Sequence, residues 1–187
     1  MKICLITSNK GKVKEFKQIL EPKIKVEHIE MSYPEMRSDD PREIAELAAK
    51  QLADIIGKPI VVEDSGLFIT ALNEFPGTCS AYIHKRIGLR GILDLMKGAR
   101  NRAAYYKSAV GFCMPGKEPL SFLGIEKGKI AAAVRGKNGF GHDPIFIPQN
   151  SGKTYGEMDF PEEKKKFRRM AVLKLVKFLN NCKEYHD

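Results

Sequence analysis

Two neighbouring carboxylates, Glu63 and Asp64, come directly after a β-branched apolar run at residues 60–62. The run is typical of a buried strand that ends at this acidic pair. In α/β proteins, ligands collect at the carboxyl ends of strands, and Mg²⁺ is typically held by one or two carboxylates together with substrate phosphates. An aspartate in this place can also accept a proton from water. The alternative is a plain turn, in which Asp64 or Ser65 bonds backbone N–H groups.

A second polar segment lies between an apolar run at residues 3–6 and a helical pattern. It consists of Thr7, Ser8, Asn9, Lys10, Gly11 and Lys12. Free N–H groups and the dipole at a helix N-terminus favour an anion, and the two lysines add positive charge. The segment matches neither the GxxxxGK[ST] phosphate loop nor a GxGxxG dinucleotide loop. It fits a phosphate site or, as the commoner case, a capped helix with solvated lysines.

Glycines punctuate a third segment, residues 136–144, which reads GKNGFGHDP. Gly139 and Gly141 flank Phe140, so the backbone can approach a flat ligand while the ring offers a stacking face. The commoner use of such residues is a turn between strands.

Five cations lie within six residues at positions 164–169. On a helix Lys164 shares a side with Arg168, and Lys165 shares a side with Arg169. The run predicts an electropositive wall or, more ordinarily, a solvated helix face.

Hydrophobic periodicity predicts the elements that must position these four motifs. Strands are predicted at residues 3–6, 25–30, 60–62, 103–114, 120–125, 130–134 and 145–147. Four helices are predicted: one after a cap at Ser8 or Asn9, one between the cap Asp40 and the stop at Gly57, one at residues 90–96 and one from Glu162 onward. Residues 73–80 are predicted to form a loop. Alternating strands and helices, followed by an antiparallel-looking run and a last helix, predict a mixed sheet flanked by helices, of the α/β or the α+β class.

The composition sets limits on the class of protein. The chain has 187 residues, 43% hydrophobic and 29% charged, which excludes disorder, collagen and coiled coil as whole-chain descriptions. No repeat or linker divides it, so we expect a single domain over residues 1–187. Lys and Arg total 32 against 23 Asp and Glu, a net charge of +9. This excess favours a polyanionic partner (nucleic acid, a membrane surface or a small phosphorylated ligand) or is only solubilising surface.

Cysteine usage and hydropathy bear on location. The four cysteines show no CxxC spacing, which argues against a structural zinc site, and free thiols favour a reducing compartment. The apolar run at residues 3–6 is too short for a signal peptide, and no window approaches the ~20 apolar residues of a spanning helix. We therefore expect a cytoplasmic protein without membrane association.

Together the motifs resemble those of the Ham1-like inosine triphosphate pyrophosphatase family, over essentially the whole chain. Residues 7–15 are similar to its opening T-[GS]-N-x-x-K-x-x-E, and residues 63–67 match its E-D-S-G-L motif. Glu35 before Met36 resembles its E-I-Q segment. Further blocks match in the family's order at Pro76-Gly77, at residues 140–144, and at Thr154, Glu157 and Lys164.

The resemblance implies an enzyme that cleaves deaminated purine nucleotides (ITP, dITP and XTP) to the monophosphate and pyrophosphate with Mg²⁺. It also implies an elongated α/β fold with a central mixed sheet, two lobes with a substrate cleft, and a homodimer. We expect no stable nucleic-acid complex.

Roles carried over by position follow from the same resemblance. Residues 7–12 would hold the triphosphate, and Lys10 or Lys12 would stabilise the leaving pyrophosphate. Glu35 and Asp64 would serve Mg²⁺ with help from Glu63, and Asp64 would accept the proton. The remaining substrate contacts would be Ser65, Phe140, Gly141, His142, Asp143, Lys164, Arg168 and Arg169.

The sequence departs from the family's pattern near the base. An S-H-R triplet that reads the purine carbonyl edge is absent, and Arg168 or Arg169 would replace its donor. The family's Y-S-A-R reads Cys79-Ser80-Ala81-Tyr82, and His142 stands where Tyr is common. Two alternatives stay open: a basic nucleic-acid-binding protein, and a related pyrophosphatase acting on modified pyrimidine nucleotides.

Overall fold

The computed structural model describes residues 2–21 and 24–182. The strands are β1 (Lys2–Ile6), β2 (Lys25–Ile29), β3 (Ile60–Ile69), β4 (Pro76–Gly77), β5 (Ala103–Cys113), β6 (Leu120–Ile130) and β7 (Phe146–Pro148). The helices are α1 (Lys10–Leu20), α2 (Pro41–Ile56), α3 (Ser80–Leu95), α4 (Pro161–Lys164) and α5 (Lys166–Asn181).

The seven strands form one sheet in the order β2-β1-β3-β5-β6-β7, with β4 paired to β3. β1 runs parallel to β2 and β3, whereas β3 with β4 and β6 with β7 are antiparallel. The predicted α/β class with a mixed sheet flanked by helices is therefore confirmed.

The chain divides into two compact units. The first unit comprises residues 1–64, 108–124 and 167–187, and the second unit comprises residues 65–107 and 125–166. Strands β3, β5 and β6 contribute residues to both units.

Strand β1 is buried on both faces in the first unit. Ile3 and Leu5 point into one hydrophobic cluster together with α1 and α5. Cys4 and Ile6 point into a second cluster together with α2. This follows from the two-residue period of a strand, and burial on both faces explains the uninterrupted apolar run at residues 3–6.

Aromatic contacts dominate the core of the second unit. The ring of Phe146 lies 4.7 Å from that of Tyr106 and stacks on Tyr155 at 5.9 Å. Arg102 holds the end of β6 by donating hydrogen bonds to the carbonyl oxygens of Ile130, at 2.8 Å, and Ala131, at 2.6 Å.

Strand and helix lengths differ from the sequence-based expectation in three places. β3 does not end at Glu63 but continues to Ile69, so the acidic pair lies in mid-strand. Two strands are predicted within residues 120–134, but the structure has a single strand there, β6, which ends at Ile130. α3 begins at Ser80 instead of residue 90. Glycine explains the last difference, because Gly88 has φ 62° and interrupts the helical pattern.

The C-terminal helix is also interrupted. α4 ends at Lys164, and Lys165 takes an extended conformation (φ −64°, ψ 121°) before α5 begins. The predicted helix-face pairings of Lys164 with Arg168 and of Lys165 with Arg169 are therefore wrong, since neither pair lies on one continuous helix. Within the described ranges, no helix is long and apolar enough to cross a membrane.

Candidate active site

The polar segment after β1 caps α1, and the cap is Asn9. Its Oδ1 accepts hydrogen bonds from the N–H groups of Gly11, at 2.9 Å, and Lys12, at 3.2 Å. Thr7 Oγ1 in turn accepts a hydrogen bond from the Asn9 N–H at 3.2 Å. Of the two caps expected from the sequence, Asn9 is the one used, and it takes up two of the N–H groups offered to an anion. Ser8 and Lys10 are exposed beside it.

Lys12 ties this helix start to β3. Its Nζ lies 2.8 Å from Glu63 Oε2 as an ion pair and donates a hydrogen bond to the Glu63 carbonyl oxygen at 2.9 Å. The lysine side chain keeps 19% of its surface exposed, whereas that of Glu63 keeps 1%. Lys12 therefore presents a positive charge at a fixed position that is still reachable by an anion.

Glu63 is the centre of a buried ionic network in the first unit. Its Oε1 accepts hydrogen bonds from Ser108 Oγ, at 2.5 Å, and from Arg168 Nε, at 3.1 Å. Arg168 Nη1 also pairs with the carboxylate of Glu15 on α1. We call Lys12, Glu15, Glu63, Ser108 and Arg168 the Glu63 network.

The Glu63 network is charged. Burial acts to raise the pKa of Glu63, but the opposite charges of Arg168 and Lys12 outweigh it and lower that pKa to about 2. Burial likewise acts to lower the pKa of Arg168, and the carboxylates of Glu63 and Glu15 raise it instead. Two cations and two anions thus compensate one another inside the protein.

The structure places Arg168 differently from the sequence-based expectation. A base-reading donor must reach the substrate, but the Arg168 side chain is 2% exposed and its guanidinium is engaged by two carboxylates. Arg169 and Lys164 are both exposed. Glu63 differs in the same way, because its carboxylate is committed to Lys12 and Arg168 rather than open to a metal.

Asp64 lies on the opposite face of β3 from Glu63, as the strand's two-residue period requires. It is half-buried. Val62, two residues earlier and so on the same face, belongs to the α2-side cluster, against which Tyr33 also packs. Burial first, then the charges of Glu35, Asp64 and Glu63, raise the pKa of the Tyr33 hydroxyl. Tyr33 thus lies near all three carboxylates that the sequence singled out, and sequence reasoning missed it.

The oxygen donors fit a hard cation in part. Glu35 is exposed and Asp64 half-buried, and carboxylates are the ligands that Mg²⁺ prefers. Over residues 2–21 and 24–182, no three His, Cys, Asp or Glu side chains are grouped closely enough to hold a metal ion by themselves. Mg²⁺ is commonly bound by two carboxylates, with phosphate oxygens and water in the other coordination positions.

The glycine-rich segment of the second unit folds around Asp143. Its Oδ2 accepts a hydrogen bond from the Phe140 N–H at 2.7 Å and pairs with Lys165 Nζ at 2.9 Å. Lys165 Nζ also lies 3.7 Å from the centre of the Phe140 ring. A cation, a carboxylate and an aromatic face are therefore held together, with Gly141 half-buried within the same turn.

Lys165 is a second residue that sequence reasoning missed. The run of three lysines pointed to Lys164, which is exposed, whereas the side chain of Lys165 is only 1% exposed. Nothing in the run marks its middle member, because burial depends on the break between α4 and α5 and on the distant partner Asp143.

His142 is buried against His84 of α3, with ring centres 5.0 Å apart. Burial, and secondarily the charge of His84, lower the pKa of His142 to about 4. It is therefore neutral at pH 7.

The remaining sequence-matched residues have local roles. Thr154 and Glu157 form a capping box in which Glu157 Oε2 accepts from the Thr154 N–H at 2.8 Å, and Arg135 pairs with Glu157 at 2.9 Å. These contacts fix the end of the glycine-rich segment, since Asn138 N–H donates to the Gly156 carbonyl at 3.0 Å. Ser65 is half-buried in β3.

The fold is an α/β fold with two charged sites. In one, Lys12 is held by Glu63, next to Asp64 in the middle of β3. In the other, Asp143, Lys165 and the ring of Phe140 are in contact. The sequence profile of the Ham1 family matches residues 3–178. The chain belongs to the Ham1 family.

Relatives and solved structures agree with this assignment. The chain is 47% identical over 174 residues to a dITP/XTP pyrophosphatase of Methanopyrus kandleri, covering 92% of this chain and 93% of the relative. It is 42% identical over 185 residues to a dITP/XTP pyrophosphatase of Thermococcus kodakarensis, covering 98% of each. The Staphylococcus aureus Ham1 protein superposes with a TM-score of 0.84 at 29% identity, covering 96% of this chain and 98% of that one.

Proposed function

We propose that the protein is a pyrophosphatase for deaminated purine nucleoside triphosphates, with dITP, XTP and ITP as substrates. The observation that carries this proposal is the contact of Lys12, at the start of α1, with Glu63. Glu63 is next in sequence to Asp64, the candidate proton acceptor. The names of relatives more than 40% identical over nearly the whole chain support it.

The first unit would act on the phosphates. Residues Thr7–Lys12 bind the triphosphate, with Lys12 and the exposed Lys10 facing its oxygens. The reaction cleaves one phosphoanhydride bond and adds water, releasing nucleoside monophosphate and pyrophosphate. Positive charge held beforehand at Lys12 stabilises the negative charge that develops on the leaving group.

Asp64 would accept the proton of the attacking water. Glu35 and Asp64 would hold Mg²⁺, which when bound neutralises charge on the phosphate oxygens. In this proposal Glu63 is not a metal ligand, because its carboxylate positions Lys12.

The second unit would act on the base. Phe140 offers the stacking face, and the buried pair of Asp143 and Lys165 holds its ring and backbone in position. A donor directed at the C6 carbonyl of hypoxanthine would face an amino group in adenine and stay unpaired, which disfavours ATP. His142, Gly141, Ser65, Lys164 and Arg169 complete the substrate contacts of the proposal.

Assembly and location are part of the same proposal. We propose a cytoplasmic homodimer with Mg²⁺ as cofactor and no stable nucleic-acid complex. The four free cysteines support a reducing compartment.

One substrate panel tests the function. Pyrophosphate release is measured for dITP, XTP, ITP, ATP and dUTP, each with and without Mg²⁺. We expect Mg²⁺-dependent kcat/KM values for the deaminated purines well above that for ATP. Equal values for ATP and ITP would contradict the base selectivity, and turnover restricted to dUTP would favour the pyrimidine alternative.

A further inference from the structure

The second unit carries a groove built from residues that the proposed reaction does not use. The groove encloses about 530 Å³, within the 300–1,000 Å³ typical of small-molecule sites. Its polar lining includes Thr70, Tyr105, Lys127, Lys129, Gln149 and Asn150. None of the residues 140–143 or 165 lines it.

The floor of the groove is formed by strands that only glycine brings this close. Gly128 of β6 pairs with Pro148 of β7, and a Cβ at Gly128 would overlap the Ile147 carbonyl oxygen and the Phe146 ring. Ala103 and Ala104 of β5 add small apolar surface. The result is a partly apolar lining.

One wall of the groove is positively charged. Lys127 and Lys129 are two residues apart on β6, so their side chains leave the same face of the strand. Both are exposed, no Asp or Glu lines the groove, and neither lysine has an ion-pair partner among the residues that the structure describes. Two uncompensated cations over one cavity favour an anion with more than one charge.

The lining also has an aromatic part, Tyr105, which is held in place. Tyr105 stacks on Phe68 with ring centres 5.3 Å apart and an interplanar angle of 4°. Its hydroxyl pairs with the Glu74 carboxylate, and Lys107 Nζ lies 4.5 Å from the Phe68 ring centre. The Tyr105 ring therefore presents a fixed apolar surface, which lowers the entropic cost of binding against it.

Amides and hydroxyls complete the rim. Asn150 adopts a left-handed conformation (φ 65°) in the turn closed by the Ser151 N–H donating to the Pro148 carbonyl at 3.0 Å. Gln149 and Asn150 in this turn line the groove, as does Thr70. Amides both donate and accept, so they suit a heterocycle or a sugar.

We propose that this groove binds a nucleoside monophosphate, with the phosphate between Lys127 and Lys129 and the nucleoside against Tyr105 and the amide rim. A phosphate monoester carries between one and two negative charges at pH 7, which matches the two lysines. The volume, the aromatic and apolar lining and the absence of lining carboxylates fit a mononucleotide. This site is separate from the residues of the proposed reaction, so its test does not depend on pyrophosphatase activity.

The test is a titration with inosine 5′-monophosphate, followed by the NMR signals of the Ala103 and Ile147 methyl groups. We expect saturable shifts of both signals, with inosine or inorganic phosphate alone binding at least about tenfold more weakly. The double substitution Lys127→Ser with Lys129→Ser should weaken binding about tenfold or more, because charge-assisted contacts to phosphate are lost. The matched control, Lys85→Ser with Lys97→Ser, removes two exposed charges of the same unit and should leave binding unchanged.

Several results would overturn the proposal. Shifts confined to the glycine-rich turn and abolished by Phe140→Ala would mean that the nucleotide binds only there. An oligonucleotide binding far more tightly than the monophosphate, with steep salt dependence, would assign the surface to a polynucleotide. Groove signals that respond to protein concentration but not to nucleotide would assign it to a second copy of the chain.

Discussion

Arg168 Nε lies 3.1 Å from Glu63 Oε1, and both side chains are 2% exposed or less. The pair joins α5 to the strand that carries Asp64, and Glu63 in turn holds Lys12 at the start of α1. Three elements of the first unit are thus connected through one carboxylate. Because the charges are buried, each depends on its partner to offset desolvation, so the Glu63 network stabilises the site only when complete.

Replacing Arg168 should destabilise the protein strongly. Arg168→Met leaves the carboxylates of Glu15 and Glu63 buried without their shared cation, and breaking such a pair costs about 3–5 kcal/mol. Urea denaturation measures the free energy of unfolding. Arg169→Met, an exposed neighbour on the same helix, should change it by less than about 0.5 kcal/mol. Equal effects of the two substitutions would rule out a network that depends on Arg168.

Replacing Asp64 should affect the chemistry more than the fold. Asp64→Asn keeps the size of the side chain but removes the proton acceptor, so kcat for dITP should fall about 100-fold or more. The melting temperature serves as the check on folding. Asp94→Asn, an exposed change on α3, should leave kcat unchanged. Near-full activity of Asp64→Asn in Mg²⁺ would remove Asp64 from the proposed role.

Much of the first unit could be predicted from the sequence because its signals are local. The apolar run at residues 3–6, the cap at Asn9 and the Asp40–Gly57 helix each depend on residues within a few positions of one another. The mixed sheet follows from the order of these elements. In these features the sequence pattern and the structure agree.

The cation run at residues 164–169 shows why the rest could not be predicted. It looks uniform in sequence, but Lys165 and Arg168 are buried while Lys164, Lys166 and Arg169 are exposed. Arg168 is separated by 105 residues from Glu63 and by 153 from Glu15. Burial of a cation is decided by such distant partners, and local periodicity carries no information about them.

The Lys165–Asp143 pair allows stability and base recognition to be separated. Lys165→Met should both destabilise the protein, since Asp143 is left buried and unpaired, and lower kcat/KM for dITP. Adding Asp143→Leu removes the stranded charge and should restore most of the lost unfolding free energy without restoring kcat/KM. Lys166→Met, which changes the exposed neighbour on the other side, should change neither quantity strongly. Recovery of activity in the double variant would show that the pair is only structural.

The buried His142 should make stability depend on pH in a defined window. Its pKa of about 4 in the folded protein lies below the ordinary 6.5, so the unfolded chain binds more protons between these values. Stability from this group is therefore full above pH 6.5 and falls as the pH is lowered to 4, by about 3 kcal/mol in total. Unfolding free energies of the wild type and of His142→Phe, measured from pH 4 to 8, isolate this contribution from that of the carboxylates. Below pH 6.5 the wild type should steadily lose stability relative to His142→Phe, and above it the difference between them should be constant. A difference that stays constant across the whole range would mean that His142 does not titrate with a depressed pKa.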